Sequence, residues 1–218
     1  MKLPAFYPIV SSVEAARILL EAGARILQYR NKSFFSRAAF EDAGRIAAMC
    51  REAGALFVVN DRADVAKLLG AGLHLGQDDL APSDARKILP APAIIGFSTH
   101  NERQLRAGDR EPVDYLAIGP IFATGSKQNP DPMVGLDRLR GLRALAAKPL
   151  VAIGGITREL APQVFAAGAD SVAIIGDLCP NPSTPAALQA RAAEWIAITD
   201  GAREVRARGN AREDVPRR

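Results

Sequence analysis

The 218-residue chain has two cysteines, two histidines and one tryptophan, and aromatic residues make up 6% of it. Cys50 and Cys179 lie far apart with no paired metal-ligand spacing, so they read as buried thiols in a reducing compartment. No Ser–His–Asp or Cys–His arrangement is legible, which removes the usual nucleophilic machinery. Neither His74 nor His100 has an acidic partner in the sequence. His74 reads as a packed core residue, and His100 as a cap or surface residue. No apolar run approaches the ~20 residues of a membrane span, and no signal-peptide pattern opens the chain. A soluble, cytoplasmic protein is therefore expected, with no membrane partner.

Charge of one sign is also scarce in the body of the chain. The net charge is +4, but residues 201–218 hold six arginines against Glu204, Glu213 and Asp214, which leaves +1 for the rest. Nucleic-acid binding is a poor explanation for that balance. The tail GAREVRARGNAREDVPRR lacks an apolar stripe, so residues 200–218 read as a basic, disordered appendage to one domain over residues 1–199.

What is present is a repeated phrase: a small-residue turn, an apolar run, then polar residues where the run stops. It reads EAGARILQYRNK, EAGALFVVNDR, GAGLHLGQDD and AAGADSVAIIGD, with variations in AIIGFSTHN, DYLAIGPIFATGSK and PLVAIGGIT. Short apolar runs separated by helical patterns predict buried parallel strands. Eight are expected: 6–10, 25–29, 56–60, 72–75, 94–97, 115–119, 150–154 and 171–175. Ser11 with Glu14 offers a capping box for the first helix, and Ser36 can cap a second reaching about Ala53. Further helices are expected over 64–69, from Pro82, after Asn101, over 136–146, from Thr157 and over 184–197. Gly23, Gly54 and Gly168 fall at helix ends, and Trp195 should seal the last helix against the sheet. The alternation predicts an α/β protein, a closed (β/α)8 TIM barrel. The runner-up, an open doubly wound sheet, lacks its GxGxxG turn after the first strand.

Such barrels place their chemistry at the strand ends that carry the polar residues. Gln28, Arg30 and Lys32 are two apart and would project together if extension continues, putting an amide and two cations at the mouth. Two cations on one face suit a polyanion. Asn60–Asp61 and Asp78–Asp79 each follow a strand, and converging carboxylates could hold magnesium or merely cap the next helices. Thr124, Gly125, Ser126 and Lys127 combine hydroxyls, amides and a cation in one loop. With Gly154–Gly155 and Ile175–Gly176, they favour phosphate binding over close packing alone.

On QYRNK, VVNDR, GLHLGQDD, GFSTHN, GPIFATGSK and AIGGIT, in that order over about Leu3 to Leu178, the chain resembles the thiamine phosphate synthases. The resemblance implies a β/α barrel that joins a pyrimidine methyl diphosphate to a thiazole phosphate, with Mg2+ and loss of pyrophosphate. It implies that Gln28, Arg30, Lys32, Asn60, Ser98 and Lys127 hold the pyrimidine diphosphate, with Arg30, Lys32 and Lys127 stabilising the leaving group. Asp61 and Asp79 match the metal ligands; Asp78 does not. Thr124, Gly125, Ser126, Gly155, Ile175 and Gly176 match the thiazole phosphate site. Three positions depart from the pattern. Ala123 stands for a common proline, Gly176 for a common serine, and the connection at Ser11–Ser12 is short.

Two other readings remain. A thiazole tautomerase would need a histidine after the sixth strand, where Ile121 and Phe122 stand. A non-catalytic thiamine phosphate binder would not need Lys32, Asp61, Asp79 and Lys127. Assembly into a homo-oligomer is left open. So are the movement of the 125–135 loop and the form of the thiazole substrate, the phosphate itself or its carboxylated precursor.

Overall fold

Short apolar runs become strands and the stretches between them become helices. The computed structural model describes residues 2–32, 35–124, 131–178 and 184–213, with side chains as far as Ala202. Its elements alternate as β1 Phe6–Val10, α1 Val13–Ala22, β2 Ile26–Tyr29, α2 Arg37–Glu52, β3 Leu56–Asn60, α3 Ala63–Leu69, β4 Gly72–Leu75 and α4 Pro82–Ile88. They continue as β5 Ile95–Thr99, α5 Glu102–Gly108, β6 Tyr115–Ile118, α6 Gly135–Arg143, β7 Leu150–Ile153, α7 Ala161–Ala166, β8 Ser171–Ile174, a 3-10 turn Gly176–Leu178 and α8 Pro185–Glu213. The eight strands close into one parallel barrel in chain order. Its seam pairs β1 with β8, Tyr7 opposite Ala173. None of the helices among the described residues is long and apolar enough to cross a membrane.

Alternation along each strand separates two cores. Tyr7, Ile9, Ile26, Val58, Tyr115, Ala117, Val151 and Ala173 face inward and fill the barrel. Val10, Leu27, Val59, Leu73, Leu116 and Val172 face outward under the helices. The same alternation turns Gln28, His74 and Ser98 inward, where their side chains are hydrogen-bonded to one another through two tyrosines. Trp195 is fully buried and stacks on Phe6 at 5.9 Å, which seats α8 on the seam as expected.

The face opposite the mouth is held by two matching clamps. Arg86 of α4 binds Asp114 at 2.7 Å, and that carboxylate also accepts from the Ile95 amide. Arg143 of α6 binds Asp170 at 2.8 Å, and that carboxylate accepts from the Leu150 amide. Each aspartate thus pairs an arginine and a strand's first amide. Exposed pairs such as Arg17–Glu21 contribute no more than ~0.5 kcal/mol. The part-buried clamps count for more, because losing one strands a backbone donor.

Several boundaries differ from the sequence reading. Ser12, not Ser11, caps α1 by accepting from the Ala15 amide. α7 begins at Ala161, because residues from Thr157 form a preceding turn that bonds the Leu160 and Ala161 amides to the Thr157 carbonyl. α8 continues to Glu213, so residues 200–213 are helical where an irregular tail was expected. Gly23, Gly54 and Gly168 do take positive φ at 113°, 62° and 102°. Cys50 is a buried free thiol, and burial pushes it up to about 12. Cys179 lies outside the described residues.

Candidate active site

The strand ends meet at one rim, and the charges there gather after the neighbouring strands β2, β3 and β4. Arg30 follows β2 and its amide donates to the Val10 carbonyl, which extends the sheet past the strand and aims the side chain as extension required. Asp61 follows β3 in a left-handed conformation, φ 64°, while its amide still donates to the His74 carbonyl. Asp79 returns on a tight turn after β4, where one carboxylate oxygen accepts from the Gly76 amide at 2.6 Å. Asp61 keeps an exposed face. Even so, partial withdrawal from solvent, then the adjacent Asp79 carboxyl as hydrogen-bond partner and like charge, push it up to about 6; Arg30 and Lys32 oppose that rise. Burial lowers Arg30, and Asp61 opposes the fall.

Four residues singled out from sequence, Arg30, Lys32, Asp61 and Asp79, therefore stand within electrostatic reach of one another. Asp78 is exposed and shows no part in that group among the described residues, whereas Asp79 is half-buried. Asn60 lies at the end of β3, in register with His74. Two carboxylates forced together against mutual repulsion, with cations beside them, suit a hard divalent ion that also takes phosphate oxygens. The donor set fits magnesium.

The opposite rim is built from backbone. The Ile121 and Phe122 amides donate to the Ile153 and Gly154 carbonyls at 2.9 and 3.0 Å, drawing the chain after β6 over the end of β7. Gly155 passes directly beneath it: φ is +65°, and a Cβ there would lie 2.3 Å from the Ala123 carbonyl oxygen. Close packing therefore does require this glycine, and Ala123, the residue before Thr124, lies against the Gly155 turn. Gly125, Ser126 and Lys127 lie outside the described residues. Gly176 begins the 3-10 turn after β8, and a side chain there would meet nothing within 4 Å, so the glycine is not sterically imposed.

That turn has an anchor the sequence did not reveal. The Asp177 carboxylate accepts from Trp195 Nε1 at 2.8 Å and from Arg158 Nε at 3.1 Å, and Arg191 donates to the Asp177 carbonyl at 2.7 Å. His100 was also misread. Asn101 caps α5 instead, and His100 Nδ1 donates to the Gly119 carbonyl at 2.6 Å and lies 3.4 Å from Asp131. It braces the two ends of the loop after β6. His74 is core as expected, but it is hydrogen-bonded at both ring nitrogens. An open cleft of about 340 Å3 between α2 and α3 is lined by Phe35, Phe40, Arg62 and Leu68 among others, and Arg30, Lys32, Asp61 and Asp79 are not part of its lining.

A family model described as thiamine monophosphate synthase matches residues 7–178 of the chain. A thiamine-phosphate synthase of Koribacter versatilis (strain Ellin345) is 46% identical, covering 91% of this chain and 97% of its own. One from Methanoregula boonei is 43% identical over 81% of this chain and 82% of its own. Among solved structures, a thiamine phosphate pyrophosphorylase from Pyrococcus furiosus superposes with a TM-score of 0.81. It is 30% identical, covering 91% of this chain and 96% of that one.

Proposed function

The chain belongs to the thiamine monophosphate synthase family, and from that premise we propose that its barrel mouth makes thiamine phosphate. The substrates are a 4-amino-2-methylpyrimidine carrying a diphosphooxymethyl group and a methylthiazole carrying a phosphoethyl group. The bond from the pyrimidine methylene carbon to the diphosphate oxygen breaks, and the thiazole nitrogen supplies the electron pair for the new carbon–nitrogen bond. Pyrophosphate leaves. The observation that carries this reading is the joint placement of Arg30, Lys32, Asp61 and Asp79 on one rim, facing the Gly155 and Gly176 turns across it.

Each residue has a task in that reaction. Arg30 and Lys32 accept the growing negative charge of the leaving oxygens, and Lys127 joins them by resemblance. Gln28, Asn60 and Ser98 orient the pyrimidine side. Thr124, Gly125, Ser126 and Gly155, with the amides of Ile175 and Gly176, hold the thiazole phosphate. That fixes the nitrogen against the electron-poor carbon. Asp61 and Asp79 would hold magnesium, which when bound neutralises diphosphate charge and assists its departure. No side-chain nucleophile is required, which agrees with a rim of charges and amides.

The test is direct. Purified protein with magnesium and both substrates should yield fluorescent product after oxidation, with one pyrophosphate per thiamine phosphate and none when either substrate is omitted. Absence of product under those conditions overturns the assignment. Asp61→Asn and Asp79→Asn should each weaken the magnesium dependence of turnover in a folded protein; unchanged dependence in both refutes their role as ligands.

A further inference from the structure

Five polar side chains from five strands form one hydrogen-bonded file through the barrel. Gln28 Nε2 donates to the Tyr7 hydroxyl at 3.1 Å, and the two tyrosine hydroxyls of Tyr7 and Tyr115 lie 2.8 Å apart. The Tyr115 hydroxyl meets His74 Nδ1 at 2.9 Å, and His74 Nε2 meets Ser98 Oγ at 2.9 Å. The file begins and ends on residues proposed to contact the pyrimidine diphosphate, so the inference rests on that reading. We propose that it is a directional relay, in which the orientation of the Gln28 amide decides whether Ser98 offers the ligand a proton or only a lone pair.

Proton counting gives the relay two states. Each hydroxyl donates once, and the buried His74 ring meets a hydroxyl and no carboxylate at either nitrogen, so a neutral ring with a single proton satisfies both bonds. With Gln28 donating to Tyr7, Tyr7 must donate to Tyr115 and Tyr115 to His74 Nδ1. The ring proton then sits on Nε2 and is given to Ser98, whose own hydroxyl proton is left for a ligand. With Gln28 turned so that its carbonyl faces Tyr7, every bond reverses and Ser98 spends its proton on His74. Mixed arrangements leave either a buried hydroxyl proton unpartnered or two lone pairs facing each other, and among the described residues no buried side-chain polar atom lacks a partner.

The barrel is shaped around this file. His74, Gly96 and Tyr115 stand in register across three strands. A Cβ on Gly96 would lie 2.0 Å from Tyr115 Cζ, so the missing side chain lets the His74 and Tyr115 rings stack at 5.6 Å and bond. The consequence is selectivity. A ring bearing an amino group donates to the Gln28 carbonyl, which sets the state in which Ser98 donates. A ring bearing an oxo group draws the Gln28 amide nitrogen outward and removes the Ser98 proton as well. One substitution on the ligand is therefore penalised at two places.

Histidine tautomers report the relay directly. The chain has two histidines, and the Gly119 carbonyl fixes His100 with its proton on Nδ1. In 15N-histidine NMR of the wild type, His74 should carry its proton on Nε2. Gln28→Glu, whose ionised carboxylate only accepts, should move that proton to Nδ1 at some pH up to 9, and adding Tyr7→Phe should abolish the move. A wild-type Nδ1 proton, or no change in folded Gln28→Glu across that range, overturns the relay. Should Gln28→Glu not fold, Tyr7→Phe alone decides. The preference for the aminopyrimidine diphosphate over its oxo counterpart should fall by about tenfold, as loss of one hydrogen bond of ~1.4 kcal/mol gives, with the KM for thiazole phosphate unchanged. An unchanged preference sinks the proposal. A tautomer switch in a protein that makes no thiamine phosphate would refute the proposed reaction and leave the relay standing.

Discussion

Replacing Gly155 with alanine should damage one half of the reaction selectively. The new Cβ would sit 2.3 Å from the Ala123 carbonyl oxygen and 2.8 Å from the Phe122 carbonyl carbon. An ordinary carbon–oxygen contact is ~3.3 Å, so something must shift by about 1 Å. The Ile121 and Phe122 amides are tied to β7 and the turn after it, so the displacement passes forward into Ala123 and Thr124. Left-handed backbone costs an alanine ~1–2 kcal/mol, and the overlap adds ~1–3 kcal/mol. At ~2–4 °C per kcal/mol for a chain of this size, the melting temperature should fall by about 4–20 °C. A positional error of ~1 Å in a substrate-holding segment is worth roughly 100-fold in rate. Steady-state kinetics with each substrate varied in turn should show kcat/KM for the thiazole phosphate falling by that order, while the KM for the pyrimidine diphosphate stays within about twofold. A folded variant with unchanged thiazole phosphate kinetics would refute the argument that this turn supports the phosphate loop.

Three further outcomes follow from the same geometry. In metal-free protein Asp61 is raised to about 6, so its charging costs stability as pH climbs from about 4, its ordinary value, through 6. Asp61→Asn should therefore melt higher than wild type above pH 6 and match it below pH 4; equal melting at both pH values would contradict the raised carboxyl. Asp170→Ala removes the partner of both the Leu150 amide and Arg143. Denaturant melts should show a loss of ~1–3 kcal/mol, with turnover per folded molecule preserved. A Cβ at position 176 meets no atom within 4 Å, so Gly176→Ser should keep stability within ~0.5 kcal/mol of wild type. The KM for thiazole phosphate should fall; a rise would show that the turn tolerates only bare backbone.

The barrel was legible because each strand is a short apolar run closed by polar residues at the same end. The misplacements have local causes. β5 runs to Thr99 because Thr99 Oγ1 satisfies itself on the Ala117 carbonyl, letting a polar residue stay in the ladder. α8 runs on past Ala197 because Ala, Arg and Glu are good helix formers with or without an apolar stripe. At the site, β alternation turns Gln28 inward, where it is buried against Tyr7 rather than open at the mouth, and the sheet pairing continues through Arg30. The Tyr7–Tyr115 and His74–Ser98 contacts were not legible, because their partners lie on different strands and no local pattern marks them. The same holds for Asp177 and Trp195, joined across the gap between a turn and a helix.

That last contact has a consequence for how the protein is made. On a ribosome the chain emerges from its amino end, so Arg30, Lys32, Asp61 and Asp79 are available once β5 is out. The turn after β8 waits for Trp195 and Arg191, and β1 waits for the same tryptophan to cover Phe6. The two halves of the mouth thus mature at different moments, and the second is finished by the final helix. A nascent chain halted before Trp195 would hold its charged rim beside an unlatched seam.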